Sequence, residues 1–198
     1  MKKICAIITN QAHYSRGKLI LEKIKKHPKL DLILIIGGSA LLDKYGDLSK
    51  VIEDDGFEIH SRINMLIEGS SPSSMAKTTG LGLLEFSTAL ENIKPDVVLL
   101  RGDRYEILAP TIAASYLNIP IAHIEGGDVS GTIDESVRHA VTKFSHIHLT
   151  TNNLSKERVI RMGENPDYVF NVGSPDIEVL SKQDLSFNQE ELWGGNTV

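Results

Sequence analysis

Four polar runs in the 198-residue chain hold side chains able to do chemistry. Asn10-Gln11-Ala12-His13-Tyr14-Ser15-Arg16 is the first, and Gly37-Gly38-Ser39 is the second. Arg101-Gly102-Asp103-Arg104 follows, and the last and longest runs from His123 through Glu125, Gly126, Gly127, Gly131 and Asp134 to Glu135. A few arginines and some backbone N–H groups suffice for a local anion site. The glycines permit left-handed backbone or close approach of the chain to a ligand. Thr132 and Glu135 fit a capping box, which starts a helix near Ile133 with Asp134 in its first turn. A carboxylate there is stabilised by the helix dipole, and Asp134 and Arg138 have the i, i+4 spacing of a helix-face pair. The run lacks the Gly-Lys-Ser/Thr ending of a Walker A loop and does not follow Gly-x-Gly-x-x-Gly. His146 and His148 stand two apart and would share a strand face, as metal ligands sometimes do. No third ligand is fixed by spacing, so no metal site and no cofactor are expected. Cys5 lies inside an apolar run and suits a buried small hydrophobe rather than a nucleophile.

The four runs must be held by the segments that precede them. Apolar, Ile- and Val-rich stretches at Ile4–Thr9, Leu32–Ile36, Val97–Leu100, Ile121–Ile124, Ile147–Thr150 and Tyr168–Val172 read as strands covered on both faces. Helical stripes lie between them: Thr79, Leu83, Phe86, Leu90 and Ile93 on one, and Ile133, Val137, Ala140, Val141 and Phe144 on another. Alternating strand and helix imply an α/β fold, a doubly wound parallel sheet with right-handed crossovers. Ligands of such sheets sit beyond the carboxyl ends of the strands, where all four polar runs fall. Pro110 should either open a helix or kink one. Ile67–Ser74 reads as a polar loop, a mobile lid or a plain connector, and Pro175 begins a short apolar turn.

Composition bounds the rest. Lys+Arg 21 against Asp+Glu 26 leaves a net charge of −5, which argues against a broad nucleic-acid or anionic-membrane surface. With 41% hydrophobic and 24% charged residues the chain is globular rather than disordered. A single cysteine points to a reducing compartment, and the apolar runs are far too short to span a bilayer, so a cytoplasmic location is expected. A Rossmann-like domain over residues 1–180 and a polar tail over 181–198 are expected, the tail being too short for a second domain.

Three runs together are specific enough to carry a family resemblance: Gly102-Asp103-Arg104-Tyr105-Glu106, His123 to Gly131, and Thr132 to Ala140. They resemble the hydrolysing UDP-N-acetylglucosamine 2-epimerases of sialic and legionaminic acid biosynthesis. The resemblance implies the N-terminal half of a two-domain, glycosyltransferase-B type fold, with a nucleotide sugar in the cleft between the domains. It also implies the family reaction, in which UDP-GlcNAc loses UDP by elimination across C1 and C2 and water then adds to give ManNAc. Asp103, Glu125 and Asp134 match the family's catalytic carboxylates, which share acid–base and electrostatic work. Arg104, Arg138 and Ser15 match substrate-contacting positions, and a guanidinium grips diphosphate oxygens as a fork. The family's first loop usually reads Arg-Ala-Asp-Tyr where this chain has Gln11-Ala12-His13-Tyr14, so a charged phosphate ligand is replaced by a neutral amide. The family's second domain supplies a histidine, most uridine contacts and a serine-rich phosphate loop. The resemblance therefore implies weak activity for the isolated chain, and self-association or a partner that supplies the second domain. The alternative is a non-catalytic module with weak nucleotide-sugar binding. A sugar transferase of the same architecture is disfavoured by the Asp103 and Glu125 runs.

Overall fold

The computed structural model describes residues 1–42, 46–69 and 71–181. The expected tail lies outside the described residues from residue 182 onward. The chain alternates β1 (Lys2–Ile8), α1 (Gln11–Lys26), β2 (Leu30–Gly37), α2 (Leu48–Asp54), β3 (Ser61–Ile63), α3 (Pro72–Ile93) and β4 (Val97–Arg101). It continues through α4 (Tyr105–Tyr116), β5 (Ile121–Ile124), α5 (Ile133–Phe144), β6 (Ile147–Thr150), α6 (Asn153–Arg161), β7 (Val169–Asn171) and α7 (Pro175–Ser181). The strands form one sheet in the order β3-β2-β1-β4-β5-β6-β7, and every neighbouring pair is parallel. The expected α/β, doubly wound, Rossmann-like architecture is therefore the observed one. From β1 the chain winds outward to β3, then returns to β4 on the other side of β1, which opens the crevice between β1 and β4.

Alternate strand residues point to opposite faces and build two cores. Cys5, Ile7, Ile35, Val98, Leu100 and Ile121 pack with Phe86, Leu90, Ile107 and Val141 on one face. Ala6, Ile8, Leu34, Ile36, Leu99 and Ile124 pack with Tyr14, Leu21, Ile52 and Phe57 on the other. Cys5 is wholly buried, and burial pushes its thiol up to about 12, so it packs as a small hydrophobe. Among the described residues no helix is long and apolar enough to cross a membrane.

Several boundaries depart from the sequence reading. The loop expected over Ile67–Ser74 ends at Ser71, whose hydroxyl accepts from the Ser74 amide at 3.1 Å and caps α3. Pro72 then takes the first helical position, where its missing N–H costs nothing. Pro110 neither opens nor ends α4, which starts five residues earlier at Tyr105 and runs through it. Burial of Ile107, Ala109, Ala113 and Ala114 holds that helix against the lost hydrogen bond. The turn expected at Pro175 is the helix α7. The three-residue edge strand β3 went unread, because Ser61-Arg62-Ile63 offers one buried residue and no apolar run.

The helical period of α3 makes a direct test. Phe86 is fully buried whereas Leu84, two positions earlier, is 67% exposed. Phe86→Ala should lower unfolding free energy by about 3–5 kcal/mol in denaturant titrations, whereas Leu84→Ala should stay within about 0.5 kcal/mol of the parent. Equal losses at the two positions would mean that α3 is rotated from its described seat.

Candidate active site

The carboxylates singled out in the sequence come from two adjacent strand ends and one helix start. β4 ends at Arg101, Gly102 turns the chain with φ +83°, and Asp103 follows. The Gly102 amide donates to the Ile124 carbonyl at 3.2 Å, which ties that turn to β5. Glu125 comes directly after β5 and itself holds φ +69°, an uncommon conformation for a residue with a side chain. Its amide donates to the Leu149 carbonyl of β6 at 3.0 Å, so the sheet pins the strained residue. Asp134 lies in the first turn of α5. All three therefore stand at the carboxyl edge of the sheet.

Buried arginines fix this edge. Arg138, one turn beyond Asp134, donates from Nη2 to the Asp103 carboxylate and from Nη1 to the Asp128 carbonyl at 2.7 Å. The expected i, i+4 pairing of Arg138 with Asp134 is thus replaced by a bond across elements, because Arg138 faces the sheet and is buried. Arg101 donates from Nη2 to Glu125 at 2.5 Å and to Asp176 of α7 at 2.9 Å. Burial works against its charge, but Glu125 and Asp176 outweigh it and hold the guanidinium above its ordinary pKa. Arg16 reaches the other Asp176 oxygen at 3.5 Å. Arg101 Nη1 and Arg138 Nε are buried without a hydrogen-bond partner among the described residues.

Arg104 opens α4 and donates to the fully buried Glu106 carboxylate at 3.1–3.3 Å. Burial opposes its charge too, yet Glu106, with Tyr105 and Asp134 acting through space, raises its pKa. Arg104 and Ser39 line two neighbouring cavities of about 490 and 400 Å3, the second of them over the β1–β4 crevice. The first is walled by Leu42, Leu66, Ile67 and Met75, the second by Asn10, Gln11 and Ala12. Neither lining includes Asp103, Glu125 or Asp134, which stand further along the same edge. Ser15 is placed apart from Arg104, in a cavity of about 300 Å3 with Tyr14, Lys18 and Asp55.

The long loop between β5 and α5 is fastened at both ends. Glu135 takes the Ser130 and Gly131 amides at 2.7 Å each, so the capping box closes on the loop rather than on Thr132, whose hydroxyl makes no capping bond. The Asp128 carboxylate accepts from Thr151 at 3.0 Å and from the Ser155 hydroxyl, and Arg158 donates to the Gly127 carbonyl. A Cβ at Gly127 would strike the Ser155 carbonyl and come within 2.7 Å of Val159, so only glycine fits there.

The histidines divide. His146 accepts from the Ile121 amide at 3.3 Å, while His148 Nε2 lies 3.2 Å from Glu164, so the two do not converge on a common ion. His13 and His123 are buried at the site itself. Burial, then the charges of Arg101, Arg104 and Arg16, push His13 down to about 3. Burial also pushes His123 down to about 4 against the pull of the Gly102 carbonyl. His13 and His123 stand at strand ends, which allows a functional part without marking either as catalytic, and the sequence assigns Arg101 no role. A charged residue closing the apolar run Val97–Arg101 was the available signal, because a buried guanidinium demands partners.

Comparison with known proteins adds to this geometry. Residues 22–194 match a family model described as UDP-N-acetylglucosamine 2-epimerase. A UDP-N,N'-diacetylbacillosamine 2-epimerase (hydrolyzing) of Legionella pneumophila is 40% identical over 193 residues, which cover 96% of this chain and 51% of the relative. A UDP-N-acetylglucosamine 2-epimerase of Neisseria meningitidis is 33% identical over 96% of this chain and 50% of its own length. The chain spans about half the length of these relatives. In fold it is similar to a UDP-N-acetylglucosamine 2-epimerase crystal structure, with TM-score 0.83, 20% identity, and coverage of 98% of this chain and 55% of that one. It is also similar to UDP-GlcNAc 2-epimerase from Neisseria meningitidis bound to UDP-GlcNAc, with TM-score 0.79, 21% identity, and coverage of 90% and 48%.

The buried neutral histidines set a pH dependence. His13 and His123 protonate near 6.5 in the unfolded chain but only near 3 and 4 in the fold, so unfolding takes up protons between those limits. Their contribution to stability is full above pH about 6.5 and is lost as pH falls toward 4. Denaturant midpoints measured from pH 7.5 to 4.5 should fall steadily, and His123→Gln should flatten the slope. A slope unchanged by that substitution would mean that His123 is not held neutral.

Proposed function

The chain belongs to the UDP-N-acetylglucosamine 2-epimerase family, and we propose that it carries the acid–base half of a hydrolysing UDP-2-acetamido-sugar 2-epimerase. The observation that carries this reading is the set of three carboxylates on one sheet edge, two of them gripped by buried arginines. The substrate is UDP-GlcNAc or a related nucleotide sugar, in sugar biosynthesis of the sialic and legionaminic acid type. The reaction runs in the reducing cytoplasm, where a lone buried cysteine needs no partner.

The chemistry explains why several carboxylates are needed. In elimination the C2–H and C1–O bonds break, the C1=C2 double bond forms, a carboxylate takes the C2 proton and UDP leaves. The C2 proton is a poor acid until positive charge builds at C1, so a second carboxylate must stabilise that charge. In hydration the water oxygen bonds to C1, a second acid on the opposite face protonates C2 and takes water's proton in return, and the first carboxylate passes the proton it took to solvent. Asp103, Glu125 and Asp134 share these roles. Arg104, at the rim of the β1–β4 crevice, meets the diphosphate together with the amides that open α1. Arg138 holds Asp103 toward the sugar, and Ser15 contacts the nucleotide end.

The relatives' remaining half supplies the other wall of the cleft, on the same polypeptide or on a second one. Self-association of the chain accompanies that arrangement. Positioning by both walls is worth roughly 7–11 kcal/mol of barrier, so the 198-residue chain alone should release no UDP above background. Supplied with a family second half, it should release UDP and a 2-epimerised sugar, and Asp103→Asn or Glu125→Gln should each cut the rate at least about 10²-fold. Release that survives both substitutions would remove the catalytic assignment. An assembled but silent protein that binds nucleotide sugar would favour the non-catalytic module.

A further inference from the structure

His123 is a wholly buried polar side chain of the site and has no part in the acid–base scheme. It occupies the third position of β5, is wholly buried, and lies beside His148 in the β5–β6 register. Its Nε2 stands 2.9 Å from the Gly102 carbonyl, and its Nδ1 stands 3.2 Å from the Thr142 hydroxyl on α5. A carbonyl only accepts, so the Gly102 carbonyl assigns the ring proton to Nε2 and leaves Nδ1 unprotonated against the Thr142 hydroxyl. Thr142 sits one turn beyond Arg138, and its hydroxyl donates to the Arg138 carbonyl at 3.0 Å. One imidazole thus bridges the peptide directly before Asp103 and the helix whose Arg138 grips Asp103.

Gly102 is confined on every side. Its φ is +83°, its amide is bound by Ile124, and a Cβ placed on it would lie 3.1 Å from His13 Nε2. Two imidazoles therefore enclose the turn, His123 bonded to its carbonyl and His13 packed against its α-carbon. Rotation of the Gly102–Asp103 peptide would break the His123 bond and leave a buried carbonyl and a buried ring nitrogen unpaired.

We propose that His123 is a positioning residue, whose Nε2–H donation to the Gly102 carbonyl sets the direction of Asp103. This rests on the reading of Asp103 as a reacting carboxylate. A histidine that merely fills the core would be replaceable by any side chain of similar volume. A positioning histidine is replaceable only by one that puts a donor where Nε2 stands, as glutamine does and phenylalanine does not.

The test compares His123→Gln and His123→Phe in the full chain supplied with a family second half. His123→Phe should lower kcat on the order of 10²-fold with KM within about twofold, and His123→Gln should recover most of the loss. A kcat unchanged by phenylalanine, or a loss confined to KM, overturns the proposal. The imidazole 15N spectrum of the unaltered chain gives a second readout that does not need the phenylalanine variant to fold. It should show His123 as the Nε2–H tautomer at pH 7, with the Gly102 amide protected from exchange. An Nδ1–H tautomer or a ring exchanging between tautomers overturns the proposal as well. If the unaltered assembly turns over no nucleotide sugar, the functional reading fails, and the spectrum and the amide exchange decide the clamp by themselves.

Discussion

The Arg138 guanidinium donates to the Asp103 carboxylate on one side and to the Asp128 carbonyl on the other, and so joins the end of β4, the loop after β5 and α5. Burying a guanidinium is costly unless it is paired and hydrogen-bonded, so these partners are demanded once Arg138 faces the sheet. The same logic applies at Arg101, whose Nη2 serves Glu125 and Asp176 together and seats α7 against the strand ends. Removing one member of such a pair strands the other charge in a poorly solvated place, which is why the edge behaves as a unit. The left-handed turns at Gly102 and Glu125 then persist because the sheet and the arginines over-determine them.

Much of the scaffold was legible in the sequence, and for physical reasons. Val97–Arg101 and Ile121–Ile124 are buried on both faces, so their apolar runs announce central parallel strands without help from neighbours. β3 and α7 were not legible, since each is short and its place is set by partners distant in sequence, such as Arg101 for Asp176. Pro110 lies inside α4 for a related reason. Burial of α4 between α3 and α5 outweighs a local helix-breaking preference.

The bonds among the candidate residues were not legible. The family resemblance pointed to Asp103, Glu125, Asp134 and Arg138, and i, i+4 spacing offered Asp134 as a partner for Arg138, which instead bonds Asp103. Helix spacing reports which side chains share a helix face, whereas contact with Asp103 depends on how α5 lies against β4. The bonds of His123 were hidden for the same reason. Its partners lie 21 residues before it and 19 after it, and only the sheet register brings them together.

The proposed function rests on one chemical claim: a carboxylate on this edge removes a proton from C2 of a nucleotide sugar. Isotope exchange reads that step directly. When the chain acts with a family second half in D2O, the released 2-epimerised sugar should carry one deuterium at C2, because the proton returned there comes from solvent-exchanged groups. Product that keeps the original C2 hydrogen would contradict the account, since inversion would then proceed without proton abstraction.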